Sequence, residues 1–181
     1  MNDSDLLVRM ITTRKLKPTN TQEALDAIPT TRERIVDWLT EARNSGDTLK
    51  FHTLANFAVY LNPPGMAEVL IPIIENREEG YLLEDIVEIL GELESAKAVA
   101  PVALLLNSRA QGDEIDQSLC LKCINALAII DTNEARATLE GIALGDNPNL
   151  LRWHAALALE IEEELGFDED LMTGPVHRRE T

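Results

Sequence analysis

The residues of this chain best suited to chemistry are Cys120-Leu121-Lys122-Cys123, the three histidines and several runs of carboxylates. A C-x-x-C can hold zinc or carry a redox disulfide. A structural zinc needs four ligands, and the sequence has no second C-x-x-C and no H-x-x-x-H to supply the other two. His52, His154 and His177 lie far apart along the chain. Nucleophilic catalysis needs a base held beside Ser, Cys or Thr, and no local motif suggests that pairing. Neither G-x-x-x-x-G-K-[ST] nor G-x-G-x-x-G occurs, so the usual backbone cradles for phosphate are missing from the sequence. Glu162, Glu163 and Glu164 are adjacent carboxylates, but nothing in the sequence would drive their pKa values apart, as acid and base roles require. No metal or cofactor site is expected, and a non-catalytic role is favoured over an enzymatic one. The most ordered charge pattern is Glu84, Glu88 and Glu92, spaced four residues apart. On a helix these stack one turn above another and oppose its formation by roughly 0.2–0.5 kcal/mol per pair, a cost that a basic partner would offset.

The elements that would position these residues follow from hydrophobic period. Apolar residues recur at helical spacing almost throughout, and no alternating segment persists long enough for a strand. The fold class expected is all-α, with about ten short helices. Turn signals fall at Pro18, Pro29, Asn44-Ser45-Gly46, Asn62-Pro63-Pro64-Gly65, Gly80, Ser95, Gly112, Asp131-Thr132-Asn133 and Asn147-Pro148. Thr30 with Glu33 fits a capping box. Asp47 and Asn147 are further N-cap candidates, the latter with Pro148 at the first helical position.

One apolar pattern repeats. Leu54, Ala55, Ala58 and Leu61 recur 32 residues later as Ile86, Val87, Leu90 and Leu93, then 37 later as Cys123, Ile124, Leu127 and Ile130. A further 32 residues on come Ala155, Ala156 and Leu159, and only Glu162 departs. The preceding helices align too: Ile35, Trp38, Leu39; Leu70, Ile73, Ile74; Pro101, Leu104, Leu105; Leu139, Ile142, Ala143. Two helices per unit at this period mark an α-solenoid, where each hairpin needs a neighbour to bury its apolar stripe. Cys120 and Cys123 align with Leu83 and Ile86, so both thiols are expected to be buried as small apolar residues.

Over residues 30–165 the chain resembles the HEAT-like repeat family. The segment Gly145-Asp146-Asn147-Pro148-Asn149-Leu150-Leu151-Arg152-Trp153-His154-Ala155-Ala156-Leu157-Ala158-Leu159 is similar to that family's turn Asp followed by an apolar-Arg pair and an Ala/Leu-rich helix. Pro72 and Pro101 stand in first helices, where the family often has proline. The resemblance implies about four helical hairpins over 30–166, with 1–29 as an N-terminal helical cap and 167–181 as a mobile acidic tail. It also implies that second helices line the concave face. The aligned surface columns are then His52, Glu84, Leu121, Trp153; Thr53, Asp85, Lys122, His154; Asn56, Glu88, Asn125, Leu157; and Tyr60, Glu92, Ile129, Ile161. Trp153, Leu157 and Ile161 are expected either to be covered by the segment around Phe167 or to form an exposed anchor flanked by acids.

Composition narrows the partner. There are 32 Asp and Glu against 16 Lys and Arg, for a formal net charge of -16. Residues 1–60 hold 8 of each sign, so the whole excess lies in 61–181, where 24 acids face 8 bases. Neutralising phosphates needs a basic surface, so direct nucleic-acid binding is disfavoured, including the DNA-glycosylase branch of HEAT-like proteins. Hydrophobic residues make up 45%, enough to fold. The longest stretch free of charged and strongly polar side chains, 98–106, is well short of a membrane span. The start lacks a basic segment followed by an apolar one, and cytoplasmic residence is expected. The expected function is a protein-binding module for a basic protein, an inhibitor or toxin-immunity protein being one form. The partner-binding candidates are Glu84, Asp85, Glu88, Glu92, Trp153, His154 and Leu157. Some HEAT-like chains attach or remove tetrapyrroles on phycobiliproteins, so the resemblance leaves a bilin-lyase-like alternative open.

Overall fold

The computed structural model describes residues 2–13, 16, 20–110 and 115–167. Among them are ten α-helices, two short 3-10 turns and no strand, in agreement with the expected fold class. The breaks expected at Pro18 and Gly112 and the tail over 168–181 lie outside the described residues. None of the described helices is long and apolar enough to cross a membrane. Two compact units divide the chain, Met1–Tyr81 and Leu82–Thr181.

The first unit contains α1 (Asp3–Thr12), α2 (Thr21–Ala27), α3 (Thr31–Ser45), α4 (Thr48–Ala58) and α5 (Met66–Asn76). α3 and α4 form a hairpin across Gly46, which takes the left-handed conformation that glycine enters without steric cost. Asp47 caps α4 as expected, accepting a hydrogen bond from the Lys50 N–H at 3.0 Å. The capping box at Thr30 does not form. Thr30 sits in a helical conformation, unsuited to an N-cap side-chain bond, and its hydroxyl donates instead to Asp3 at 2.8 Å. With Lys50 donating to Asp5 at 2.6 Å, that contact fixes α1 against the α3–α4 hairpin. The Lys50 ammonium holds the Asp5 carboxyl below its ordinary pKa. Ile35, Leu39, Phe51, Leu54 and Phe57 are fully buried and make the core. Arg43 grips both carboxylate oxygens of Glu78, a two-point geometry that fixes direction as well as charge. It ties α3 to the loop after α5, where Tyr81 packs edge-on to Phe51 with ring centroids 5.0 Å apart.

The second unit contains α6 (Leu83–Glu92), α7 (Val99–Arg109), α8 (Gln117–Ile130), α9 (Asn133–Leu144) and α10 (Asn149–Leu159). α8 packs against all four of the others, and α7 also touches α9. α6 and α10 both adjoin α8, and α7 adjoins α9. α8 can serve so many neighbours because Leu119, Cys120, Cys123, Ile124, Ala126, Leu127 and Ile130 are all buried, leaving only a narrow exposed stripe. Asp116 caps α8 and Thr132 caps α9 through their side-chain oxygens. Pro101 lies in the first turn of α7, where its missing N–H would have no partner in the helix.

Of the aligned stripe residues in this unit, Leu104 is the clear exception at 71% exposure, and Leu93 is half-buried. Leu106 is fully buried instead of Leu104. Asn147 is not the cap of α10. Its side-chain N–H donates to the Ile142 carbonyl at 3.2 Å, and Pro148 occupies the position before the helix. Arg152 donates to the Ala143 carbonyl at 3.1 Å and lies over the Phe167 ring, 5.5 Å from its centroid. Arg152 therefore fastens α10 to α9 and to the turn that follows α10.

Candidate functional site

Of the seven partner-binding candidates, Glu84, Asp85, Glu88 and Glu92 lie on α6 and Trp153, His154 and Leu157 on α10, and α8 packs against both helices. α6 opens with Glu84 and Asp85 in its first turn, where the unpaired N–H groups and helix dipole favour negative charge. Its buried stripe, Ile86, Val87, Ile89 and Leu90, faces the core, so Glu88 and Glu92 are turned to solvent. At Gly91 the helix meets α8 closely. A Cβ built there would stand 2.9 Å from the Cα of Ala126 and 3.0 Å from its Cβ. Only a residue without a side chain allows this approach.

Beside that contact the two helices leave an open cavity of about 330 Å³, bordered by Glu88, Glu92, Lys122, Asn125, Ala126 and Ile129. Lys122 reaches across from α8 and donates to Glu88 at 2.6 Å. That bond, with further attraction from Glu88, Glu84 and Asp85, raises the Lys122 pKa above its ordinary value. The acidic ladder is thus partly neutralised. Glu84 has the helix N-terminus and Glu88 has Lys122, while Glu92 stands exposed at the α6 C-terminal end, where the dipole disfavours an anion. Ile129 adds an apolar border and is 50% exposed.

The apolar candidates lie on α10. Trp153 and His154 are half-buried and meet edge-on with ring centroids 4.7 Å apart. Burial lowers the His154 pKa. Leu157 is 44% exposed and Ile161 half-buried. Phe167 is buried and engages Arg152 on that helix, so the terminal turn does not cover Leu157. The structure therefore joins Glu88 and Glu92 in one cavity with Lys122, Asn125 and Ile129, and places Trp153, His154 and Leu157 outside it on the third helix of the layer. Lys122 and Ile129 were absent from the sequence-derived site. Both stand in the aligned columns, Lys122 beside Asp85 and Ile129 beside Glu92, and that placement was the available signal.

The cysteines are both free and fully buried. Burial pushes the Cys120 thiol up to about 11 and raises Cys123 still further. Protonated thiols in an apolar setting are poor nucleophiles and poor metal ligands. Among the described residues no cluster of three or more His, Cys, Asp or Glu side chains is arranged to hold a metal ion.

No protein-family model matches the chain, and neither the curated proteins nor the solved structures contain a match to it.

Proposed function

We propose that this chain is a HEAT-like α-solenoid repeat protein that acts as a non-catalytic binding module. In this reading the α6–α8–α10 layer holds a basic segment of another protein. Its concrete form is a small acidic inhibitor or immunity protein that covers a basic toxin or nuclease. The observation that carries the reading is the cavity where exposed Glu88 and Glu92 adjoin the half-exposed apolar Ile129. Carboxylates speed the approach of a basic partner and set its register, while apolar surface supplies burial that persists in salt. The acidic excess of residues 61–181 acts over a longer range in the same direction.

The test compares the full chain with its Glu84→Lys/Glu88→Lys/Glu92→Lys variant. Each is used to capture basic proteins, and affinity for any captured protein is then measured at about 0.05 M and about 0.15 M salt. The expected result is at least about tenfold weaker binding by the variant at the lower salt, with a flatter salt dependence. Far-UV circular dichroism checks that both are equally helical. Equal affinity and equal salt dependence for the two forms would overturn the reading.

A further inference from the structure

We propose that the α6–α8 cleft is a socket for one arginine side chain of the basic partner. The inference deepens the interaction reading above and rests on it.

The shape comes from Gly91 and Ala126. Their close approach brings two helix backbones together, and Ala126, only 1% exposed, keeps the adjoining cavity from being filled by a larger side chain. A volume of about 330 Å³ is at the small end of ligand sites. It has room for one long side chain.

Charge sets the count. Glu88 and Glu92 contribute two negative charges and Lys122 one positive, so the border of the cleft is net negative by one charge. Lys122 already occupies Glu88 with a point charge. Among the described residues no cation is bonded to Glu92, one helical turn further on.

The chemistry of the borders favours guanidinium over ammonium. Carboxylates at i and i+4 have Cβ atoms about 6 Å apart. A planar fork with five N–H donors can address both, or Glu92 together with the Asn125 carbonyl oxygen. Guanidinium is also the more weakly hydrated cation, so it loses less on entering a cleft with an apolar border. The methylene stem of the arginine would lie along the half-exposed Ile129, as such stems do on apolar surface.

The test titrates the full-length, 15N-labelled chain with N-acetyl-arginine amide, following amide chemical shifts. The lysine and citrulline amides serve as comparisons, citrulline having the shape of arginine without its charge. Saturable shifts confined to residues 88–92 and 122–129 are expected with arginine, with weaker binding of lysine and none of citrulline. Glu92→Gln should weaken arginine binding about fivefold. Lys122→Met should strengthen it about as much, because Glu88 is released. Shifts spread over the whole acidic surface, equal responses to arginine and citrulline, equal affinity for lysine, or unchanged binding by Lys122→Met would overturn the socket. If a basic protein is captured in a manner sensitive to the triple charge reversal while the arginine amide leaves the cleft unshifted, the socket is refuted and the interaction reading stands. If the arginine amide binds as expected and the triple reversal leaves protein binding untouched, the interaction reading falls and takes with it the cleft's role as the partner's socket, leaving a site for free arginine.

Discussion

Replacing Gly91 with alanine tests whether α6 and α8 are packed as closely as described. The new methyl would stand 2.9 Å from the Ala126 Cα and 3.0 Å from its Cβ. These are backbone and near-backbone atoms, unable to swing aside like the tip of a long side chain, so the helices themselves must part. Overpacking of this kind costs about 1–3 kcal/mol. Against it stands the helix preference of alanine over glycine, about 1 kcal/mol. The net change is therefore a loss of about 0–2 kcal/mol, too broad a range to decide by one measurement. Gly141, inside α9, supplies the control, since an added Cβ there meets nothing within 4 Å. Gly141→Ala should stabilise by about 1 kcal/mol. The difference between the two variants then isolates the contact with Ala126, and should be about 1–3 kcal/mol. Urea unfolding followed by circular dichroism measures both. On heating, the gap should appear as roughly 2–4 °C per kcal/mol. Ala126→Gly placed in the Gly91→Ala background removes the contact with the Cβ but keeps the one with the backbone Cα, so a double-mutant cycle should return a coupling that recovers only part of this difference. Equal effects of Gly91→Ala and Gly141→Ala, or a cycle that closes without coupling, would refute the close approach.

Two further outcomes follow from buried titrating groups. Burial lowers the folded-state pKa of His154 below the 6.5 of the free side chain, so the unfolded chain takes up its proton first. The stability linked to this residue is complete above pH 6.5, is lost as pH falls through 6.5 towards the folded pKa, and changes no further below that. His154→Gln should flatten the melting-temperature profile across this window, and a constant difference between the two profiles would contradict the assignment. For the cysteines, a Cys120 pKa of about 11 leaves roughly one thousandth of the thiol ionised at about pH 8. Ellman's reagent should label neither thiol of the folded chain at an appreciable rate and both after denaturation. Immediate labelling of the native protein would show an accessible thiolate.

Much of the fold was legible because helical period and steric turn signals act locally. Gly46, Asn62 and Asp131 all adopt positive φ at helix ends, where glycine, asparagine and aspartate are the expected occupants. Arg77, Glu94 and Glu160 do the same, and nothing in those residue types announces it. Thr30 and Asn147 show the other limit. Each is a good cap by type, but Asp3, brought near by tertiary packing, takes the Thr30 hydroxyl, and the Ile142 carbonyl, five residues back along the chain, takes the Asn147 side chain. Leu104 was placed on a buried stripe by alignment and is exposed because α7 turns Val102, Leu105 and Leu106 inward. In the site, the spacing of Glu84, Glu88 and Glu92 was enough to place them along one side of a helix. The Lys122–Glu88 bond spans 34 residues and depends on the register between two helices. A column alignment approaches that register but does not measure it.

The place of α8 among its neighbours bears on how the second unit comes apart. Arrays of repeats that touch only in sequence can fray from an end, each hairpin leaving the rest intact. Here α6, α7, α9 and α10 all rest on one helix, and its buried residues extend around most of its circumference. Detaching α9 and α10 would bare part of the apolar surface of α8 to water. Loss of one hairpin therefore weakens the seat of the others, and the unit is built to open as a whole. A surface spread over three helices stays in register for as long as the central one remains enclosed.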